Sequence, residues 1–218
     1  YGYCIQIYCD FSGYSDMAIG IALLLGFKIP MNFNAPLTAD SMTDFWRRWH
    51  ISLSTWIRDY VYISLGGNRH GTLRMYLNQM VAMTACGLWH GASLNFVVWG
   101  VLHGALVCLH KFWSQTVMKH DRHYHPSGLR RFVSVFVTFH VLCFTWFFFR
   151  CRDFEGVWVM LRQMFTKFNP SVLPDVFAAY KYVFLLMAFA LLTHWIPDRW
   201  QNCCVRILEK GGVVFSAI

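Results

Sequence analysis

Charged residues are scarce in this chain of 218 residues, since Asp, Glu, Lys and Arg together supply 14% of it. Soluble domains carry about 25% charged residues. Hydrophobic residues make up 56% of the chain and aromatic residues 18%, with 20 Phe and 10 Trp. A soluble protein of this length has too small an interior to hide so much apolar surface. The shortage of charge therefore argues against a soluble domain and favours a protein surrounded largely by lipid.

Several signatures of other protein classes are also missing. The eight cysteines form no CxxC pair, which argues against a zinc or redox framework. The glycine-rich stretch 65–71 lacks the Lys-Ser/Thr of a phosphate loop and is interpreted as a turn. His120, His123 and His125 lie in a polar segment without a second cluster of ligands, so no metal site is expected. The basic residues behind the net charge of +8 lie between apolar segments, which argues against a nucleic-acid partner.

Five apolar stretches have the length or composition of membrane helices. They are residues 3–27, 75–89, 93–110, 132–149 and 177–196. The second is short: at 1.5 Å per residue it reaches about 22 Å, against a hydrocarbon core of about 30 Å. Together the stretches predict an all-α, multi-pass integral membrane protein. The basic loops 28–74 and 111–131 predict a cytoplasmic position for both, although the basic loop 150–176 does not fit that orientation.

The segment from 41 to 60 carries one apolar stripe at spacings of three and four residues, as on one face of an α-helix. The stripe consists of Met42, Phe45, Trp46, Trp49, Leu53, Trp56, Ile57 and Tyr60. The other side carries Arg47, Arg48 and Arg58. Ser41 with Asp44 predicts an N-terminal capping box. Tryptophans on one face and arginines on the other are typical of a helix in the membrane interface. We therefore predict one interfacial amphipathic helix here, and a second, shorter amphipathic helix at 154–166.

His90 lies in the sequence GLWHGAS (87–93), next to small residues at Gly87, Gly91 and Ala92. Small neighbours leave room for a substrate or for a close backbone approach. A histidine at membrane depth is costly unless it is paired or functional, and imidazole accepts protons near neutral pH, as a general base must. Two interpretations stay open from these residues alone: a catalytic base, or a histidine that is hydrogen-bonded between helices.

A second histidine, His50, lies in FWRRWHISLS on the predicted interfacial helix. Arg47 and Arg48 beside it have the charge to hold an anionic acyl donor, such as a coenzyme A phosphate. The ordinary alternative is a helix that faces lipid headgroups. The run CDFSGYSDM (9–17) places two carboxylates among hydroxyls in a predicted span. Such a run suits the wall of a polar tunnel, or contacts between helices around Gly13.

Four blocks of the sequence carry a more specific signal. They are DFSGYSDMAIG (10–20), NFNAPL (32–37), FWRRWHISLSTWIRDYVYISLGGNR (45–69) and GLWHGASLNFVVWGVLHG (87–104). In order and type they closely resemble the membrane-bound O-acyltransferase family, and within it the bacterial alginate O-acetyltransferase branch more than the D-alanyl transferases of teichoic acid. We therefore expect residues 1–218 to form part of one such domain, with a motif core at 10–104. The start at Tyr1, within an apolar segment, predicts that an N-terminal part is missing.

The resemblance implies a multi-helix fold with a tunnel through a thin central region, and acyl transfer from a cytoplasmic donor to a hydroxyl acceptor. It implies that His90 is catalytic and that His50 is the second histidine, set towards the cytoplasm. It implies no bound cofactor, and acetyl-coenzyme A or another acyl thioester as donor substrate. It also implies a polysaccharide acceptor such as alginate, an extracytoplasmic partner of the SGNH-hydrolase type, and the bacterial inner membrane as location. Supporting residues are expected for the donor at Arg47 and Arg48, and along the tunnel at Asp10, Ser12, Asp16 and Trp89.

Two other functions are compatible with the same residues. Intramembrane His and Asp side chains also mark proton relays, so a transporter would move a substrate without covalent transfer. A non-catalytic scaffold of a polysaccharide export complex would use the polar residues as contacts between helices. That scaffold predicts that His50 and His90 tolerate replacement.

Overall fold

The chain folds into a series of helices joined mostly by short connections. The computed structural model describes residues 1–119 and 124–196, together with positions 200, 203 and 206. The α-helices of this part are, in order, α1 (Gly2–Leu24), α2 (Met42–Arg48), α3 (Ile51–Ile57), α4 (Gly71–Trp89), α5 (Leu94–Phe112), α6 (Gly128–Arg150), α7 (Phe154–Thr166), α8 (Leu173–Ala179) and α9 (Lys181–Thr193). These residues include no β-strand, so the all-α prediction is confirmed. His120 and His123 lie outside the described residues.

Two helices of the described part are long and apolar enough to cross a membrane. One is Leu94–Val117, which is α5 with the π-helical turn that continues it, and the other is α6. These two helices cover the predicted spans 93–110 and 132–149. The segments Pro170–Ala179 and Lys181–Thr193 reach the required length only together, and they meet at 85°. The predicted continuous helix at 177–196 is therefore corrected to a short apolar helix that follows a sharp bend.

The hairpin of α4 and α5 packs backbone against backbone because glycines face each other. A Cβ atom added at Gly87 would overlap the carbonyl of Phe96 and lie 3.1 Å from the Cα of Gly100. A Cβ atom added at Gly100 would lie 2.5 Å from the carbonyl oxygen of Met83. Small residues at such an interface let two helix backbones approach closely. The close approach brings the end of α4, where His90 follows, against the start of α5.

The prediction of one uninterrupted helix over 41–60 is wrong, because the chain breaks it at His50. That residue has a φ of 44°, in the left-handed region, and it separates α2 from α3. The predicted start is confirmed, since the hydroxyl of Ser41 accepts a hydrogen bond from the N–H of Asp44 at 3.2 Å. The 3.6-residue period of the apolar stripe continues across the break, so the stripe alone gave no sign of it.

Aromatic rings fill the centre of the fold, where α1, α2, α5 and α6 meet. Phe45, Trp99 and Trp146 are almost completely buried there. Burial of apolar area contributes about 25 cal/mol per Å², so such large rings are a main source of stability in this region. Farther along the chain, α7 coincides with the amphipathic helix predicted at 154–166 and buries Val157. The aromatic centre supplies the back wall of the site described next.

Candidate active site

An open cleft of about 480 Å³ lies between α1, the break between α2 and α3, and the end of α4. Its lining consists of Tyr3, Gln6, Ile7, Asp10, Phe11, Tyr14, His50, Trp89, His90 and Phe149. The fold thus brings together the two histidines that the sequence singled out. The ring of Trp89 lies between them, with its centroid 5.8 Å from that of His50 and 4.9 Å from that of His90. A largely apolar concavity with a few polar groups is the usual form of a ligand site.

The loop before α2 holds His50 in its left-handed conformation. A positive φ is unusual for a residue other than glycine and persists only where the surroundings impose it. The main-chain oxygen of Asn32 accepts a hydrogen bond from the N–H of Ile51 at 3.0 Å. Its side-chain oxygen accepts from the N–H and the hydroxyl of Ser52, at 3.1 and 2.9 Å. The N–H of Asn34 donates to the carbonyl of the last residue of α2. The loop therefore pairs with the chain on both sides of the break.

Asn32 also orients the imidazole of His50. The Nδ1 atom of His50 lies 3.2 Å from the side-chain oxygen of Asn32, and an amide oxygen only accepts hydrogen bonds. Nδ1 therefore carries the proton and Nε2 keeps its lone pair. Burial, with a smaller contribution from His90, lowers the pKa of His50 to about 4. The imidazole is accordingly neutral near pH 7, the form that is able to accept a proton.

His90 follows the last residue of α4 and precedes a glycine that the turn requires. Gly91 has a φ of 147°, and a Cβ atom there would lie 3.0 Å from the ring of Phe96. The imidazole is enclosed by aromatic rings, with centroids at 4.9 Å for Phe149 and 5.4 Å for Trp99. Neither ring nitrogen has a hydrogen-bond partner among the described residues. This arrangement disfavours a histidine that joins helices and leaves both nitrogens available to a molecule in the cleft.

The polar run at the middle of α1 is only partly directed at the cleft. Asp10 and Tyr14 line it, whereas Ser12 and Asp16 are not among its lining residues. Ser15 is buried and accepts a hydrogen bond from the side-chain nitrogen of Asn32 at 3.5 Å. The run therefore contributes one carboxylate and one phenol to the cleft, and it anchors the loop that holds His50.

The two arginines of α2 differ in their surroundings. The Nε atom of Arg48 lies 2.8 Å from the buried carboxylate of Asp44, so this guanidinium is committed to an ion pair within the helix. Arg47 forms no ion pair or hydrogen bond with another described residue. It lines a second cavity, of about 260 Å³, whose largely apolar walls include Trp46 and Cys86. Of the two arginines, Arg47 is the one available to an anionic ligand.

One group of side chains has the composition of a metal site. The ligand atoms of Asp40, Asp44 and His125 lie within 4.8 Å of one another. Both carboxylates are already engaged, because Asp40 contacts the Nδ1 atom of His125 at 2.8 Å and Asp44 pairs with Arg48. Asp44 also accepts from the N–H of Asp40 at 3.3 Å. These contacts account for the group as a helix cap that is joined to one arginine and one histidine.

Two residues with roles at this site were missed in the sequence. Asn32 belongs to a block that the family resemblance covers, but nothing in its local sequence indicates that it binds a histidine. His103 is completely buried and hydrogen-bonded at both ring nitrogens. A signal was present for His103, because Asn95, Trp99 and His103 recur every four residues and so share one face of α5.

The apolar helices, with a cleft that two histidines line, define the class as a helical membrane protein with polar groups among its helices. The family comparison makes the class specific. The family model described as MBOAT, membrane-bound O-acyltransferase family, matches residues 1–149, so the chain belongs to this family. The match extends beyond the motif core at 10–104 on both sides, from residue 1 to residue 149 in the last turn of α6.

The curated relatives act on different polymers. The chain is 44% identical over 174 residues to "Probable alginate O-acetylase AlgI" of Azotobacter vinelandii, covering 80% of this chain and 33% of that protein. It is 41% identical over 162 residues to "Peptidoglycan O-acetyltransferase" of Helicobacter pylori, covering 74% and 30%. It is 31% identical over 163 residues to "Teichoic acid D-alanyltransferase" of Bacillus subtilis, covering 71% and 41%. The chain spans about a third of the length of the first of these relatives.

Proposed function

We propose that the protein is an acyltransferase that moves an acetyl group from a cytoplasmic thioester towards the hydroxyls of an extracytoplasmic polysaccharide. The observation that carries the proposal is the cleft in which His50 and His90 meet, with both nitrogens of His90 unpaired by the described residues. The names of the relatives support it, since they describe transfer of acetyl or D-alanyl groups. Alginate is the favoured acceptor because the alginate-type relative is more similar to this chain, at 44% identity, than the peptidoglycan O-acetyltransferase, at 41%, and the D-alanyl transferase, at 31%.

In the proposed reaction, His90 is the general base. It takes the proton of the attacking hydroxyl while that oxygen bonds to the thioester carbonyl carbon. The tetrahedral intermediate then collapses, the carbon–sulfur bond breaks, and the sulfur takes the proton that His90 returns and leaves as a thiol. The apolar rings that border one side of the imidazole shield it from water on that side, which strengthens the electrostatic interactions of the developing oxyanion. His50, whose Nε2 keeps a lone pair, orients the donor or passes on a proton at the other side of Trp89.

The donor is proposed to be acetyl-coenzyme A or another acyl thioester, bound from the cytoplasmic side. Arg47 is assigned to an anionic group of the donor because it has no partner among the described residues and borders an apolar cavity. Arg48 was predicted for the same role, but its ion pair with Asp44 makes it a support for α2 instead. Asp10 and Trp89 are assigned to the wall of the acyl-transfer cleft. Ser12 and Asp16 are assigned only to the helix that carries this wall.

Two further parts of the proposal concern the cell. The location is the bacterial inner membrane, which suits a cytoplasmic donor and an acceptor outside. The hydroxyl that attacks at His90 belongs to a first acceptor, and an extracytoplasmic partner of the SGNH-hydrolase type passes the acyl group from it to the polymer. In this proposal the acyl thioester is a substrate that the reaction consumes, and no bound cofactor is assigned to the protein.

The test compares the complete protein with its His90→Ala variant at equal amounts in the membrane. The measurement is the O-acetyl content of the secreted polysaccharide per sugar. His140→Ala is the matched control, because His140 lies in α6 outside the cleft, with its Nδ1 bonded to a backbone carbonyl. Loss of acetyl ester with normal polymer yield, in the first variant alone, supports the proposal. Unchanged acetyl ester would instead indicate a scaffold, and loss of polymer with normal ester per sugar would indicate a transporter.

A further inference from the structure

The three helices behind His90 are joined by a single buried histidine. His103 is 0% exposed and lies on α5. The indole N–H of Trp46, from α2, donates to its Nδ1 at 3.2 Å. Nδ1 therefore carries no proton, so the proton is on Nε2, which donates to the hydroxyl oxygen of Thr145 in α6 at 2.9 Å. The hydroxyl of Thr145 donates in turn to the carbonyl of Leu142 at 2.9 Å. Each polar atom in this chain of hydrogen bonds has its partner.

One ring separates His103 from His90. The centroid of Trp99 lies 4.4 Å from that of His103 and 5.4 Å from that of His90, to which it is almost perpendicular. The indole N–H of Trp99 has no hydrogen-bond partner among the described residues. The orientation of Trp99 therefore depends on packing alone, and its nearest aromatic neighbour is a ring that hydrogen bonds hold at both nitrogens.

We propose that His103 is a positioning residue for acyl transfer: through its hydrogen bonds to Trp46 and Thr145 it fixes Trp99, and Trp99 fixes the ring of His90. This inference rests on the proposed function, because it assigns a task to a residue behind the proposed base. His103 touches no reacting atom. Its effect on the reaction comes from the angle at which His90 meets its substrate, and small misplacements of reacting groups lower rates steeply.

Thr145 offers the sharpest test, because its shape and its hydroxyl can be changed separately. Thr145→Val keeps the shape and removes the acceptor for His103, whereas Thr145→Ser keeps the hydroxyl. Thr138→Val is the matched control: Thr138 is also buried in α6, about 10 Å away along the helix. The complete protein in native membranes is supplied with radiolabelled acetyl-coenzyme A and polysaccharide from the same cells, after its acetyl groups have been removed with mild base. The rate of transfer is measured against donor concentration.

The expected result is a selective loss of turnover. Thr145→Val lowers kcat roughly ten- to a hundredfold, because the group that reacts is displaced in the bound state. Its donor KM stays within about twofold of the wild-type value, since ground-state donor binding is untouched. Thr145→Ser and Thr138→Val keep kcat near that of the wild type. Thr145→Val added to His103→Leu causes no further loss, because the threonine acts through the histidine.

Other outcomes overturn the inference. Wild-type kcat in Thr145→Val would mean that the hydrogen bond does not position the site. Equal losses in Thr145→Ser and Thr145→Val would attribute the effect to packing of the methyl group. A loss expressed only in donor KM would mean that the chain of hydrogen bonds supports donor binding. The wild-type protein and His90→Ala are measured in the same assay: absence of transfer by the wild type would contradict the proposed function itself, whereas failure of the inference leaves that difference intact.

Discussion

His90 and His103 occupy two adjoining regions of the molecule and are held in opposite ways. Each precedes a glycine in the sequence, and each contacts the ring of Trp99. The imidazole of His103 uses both nitrogens to join three helices, while that of His90 has no hydrogen-bond partner among the described residues and borders the cleft. The comparison teaches that a histidine stabilises the packing of helices when both ring nitrogens are hydrogen-bonded within the protein. A histidine whose nitrogens are not bonded in this way is available to react with a ligand.

The largest effect is expected from a change that moves His90 without touching it. Gly87→Ala places a methyl group against the backbone of Phe96, which no side-chain rotation relieves, so α4 and α5 must separate. Overpacking of this kind costs about 1–3 kcal/mol of stability. Because His90 directly follows the last residue of α4, we expect acetyl transfer to fall at least about a hundredfold. The measurement is the acetyl-transfer rate in membranes, normalised to the amount of folded protein.

Gly20→Ala is the control for this prediction. Nothing lies within 4 Å of a Cβ atom at Gly20 in α1, and alanine favours helix over glycine. We expect Gly20→Ala to retain full activity. If Gly87→Ala kept wild-type transfer, the position of His90 beside the contact of α4 and α5 would not matter to the reaction. The proposal that His90 reacts whereas His103 only joins helices would then lose its support.

The second prediction sharpens the comparison at His50, which is held by a loop instead of by helices. Asn32→Ala removes the oxygen that accepts from Nδ1 of His50 and from Ser52. The imidazole then loses its fixed tautomer, and the strained backbone at residue 50 loses a support. We expect transfer to fall roughly tenfold, less than for a change at the proposed base.

Asn34→Ala serves as its control, because the hydrogen bond that joins Asn34 to α2 among the described residues comes from its backbone N–H, which alanine retains. Both variants are measured for transfer rate at several donor concentrations. Equal activity of the two variants would show that the hydrogen bond from His50 to Asn32 has no part in the reaction. The role of His50 would then be structural, as is that of His103 in joining helices.

The parts of the fold that could be predicted are those with a local cause. Hydropathy predicts α5 and α6, because a helix that crosses a membrane needs a continuous apolar segment. Ser41, with Asp44 three residues later, predicts the start of α2, because helix capping depends on residues that are close in sequence. The break at His50 could not be predicted in this way. Asn32 imposes it from a distant loop, while the apolar period passes through it unchanged. Resemblance to a family singled out both histidines of the cleft, but not the residues that hold them.

The smallest effect is expected on the KM for the donor, and it distinguishes the two arginines of α2. Arg47→Gln removes a charge that borders the apolar cavity, so we expect the KM for acetyl-coenzyme A to rise about threefold to tenfold with kcat unchanged, as for a contact equal in ground and transition states. The rise should shrink at high salt, because salt screens an exposed charge. Arg48→Gln leaves the buried Asp44 without its ion pair, so we expect a lower Tm and an unchanged KM.

The opposite pattern, with KM raised by Arg48→Gln alone, would place the donor on the ion-paired face of α2. It would also mean that an arginine already paired within the fold still binds substrate, against the rule that His90 and His103 illustrate.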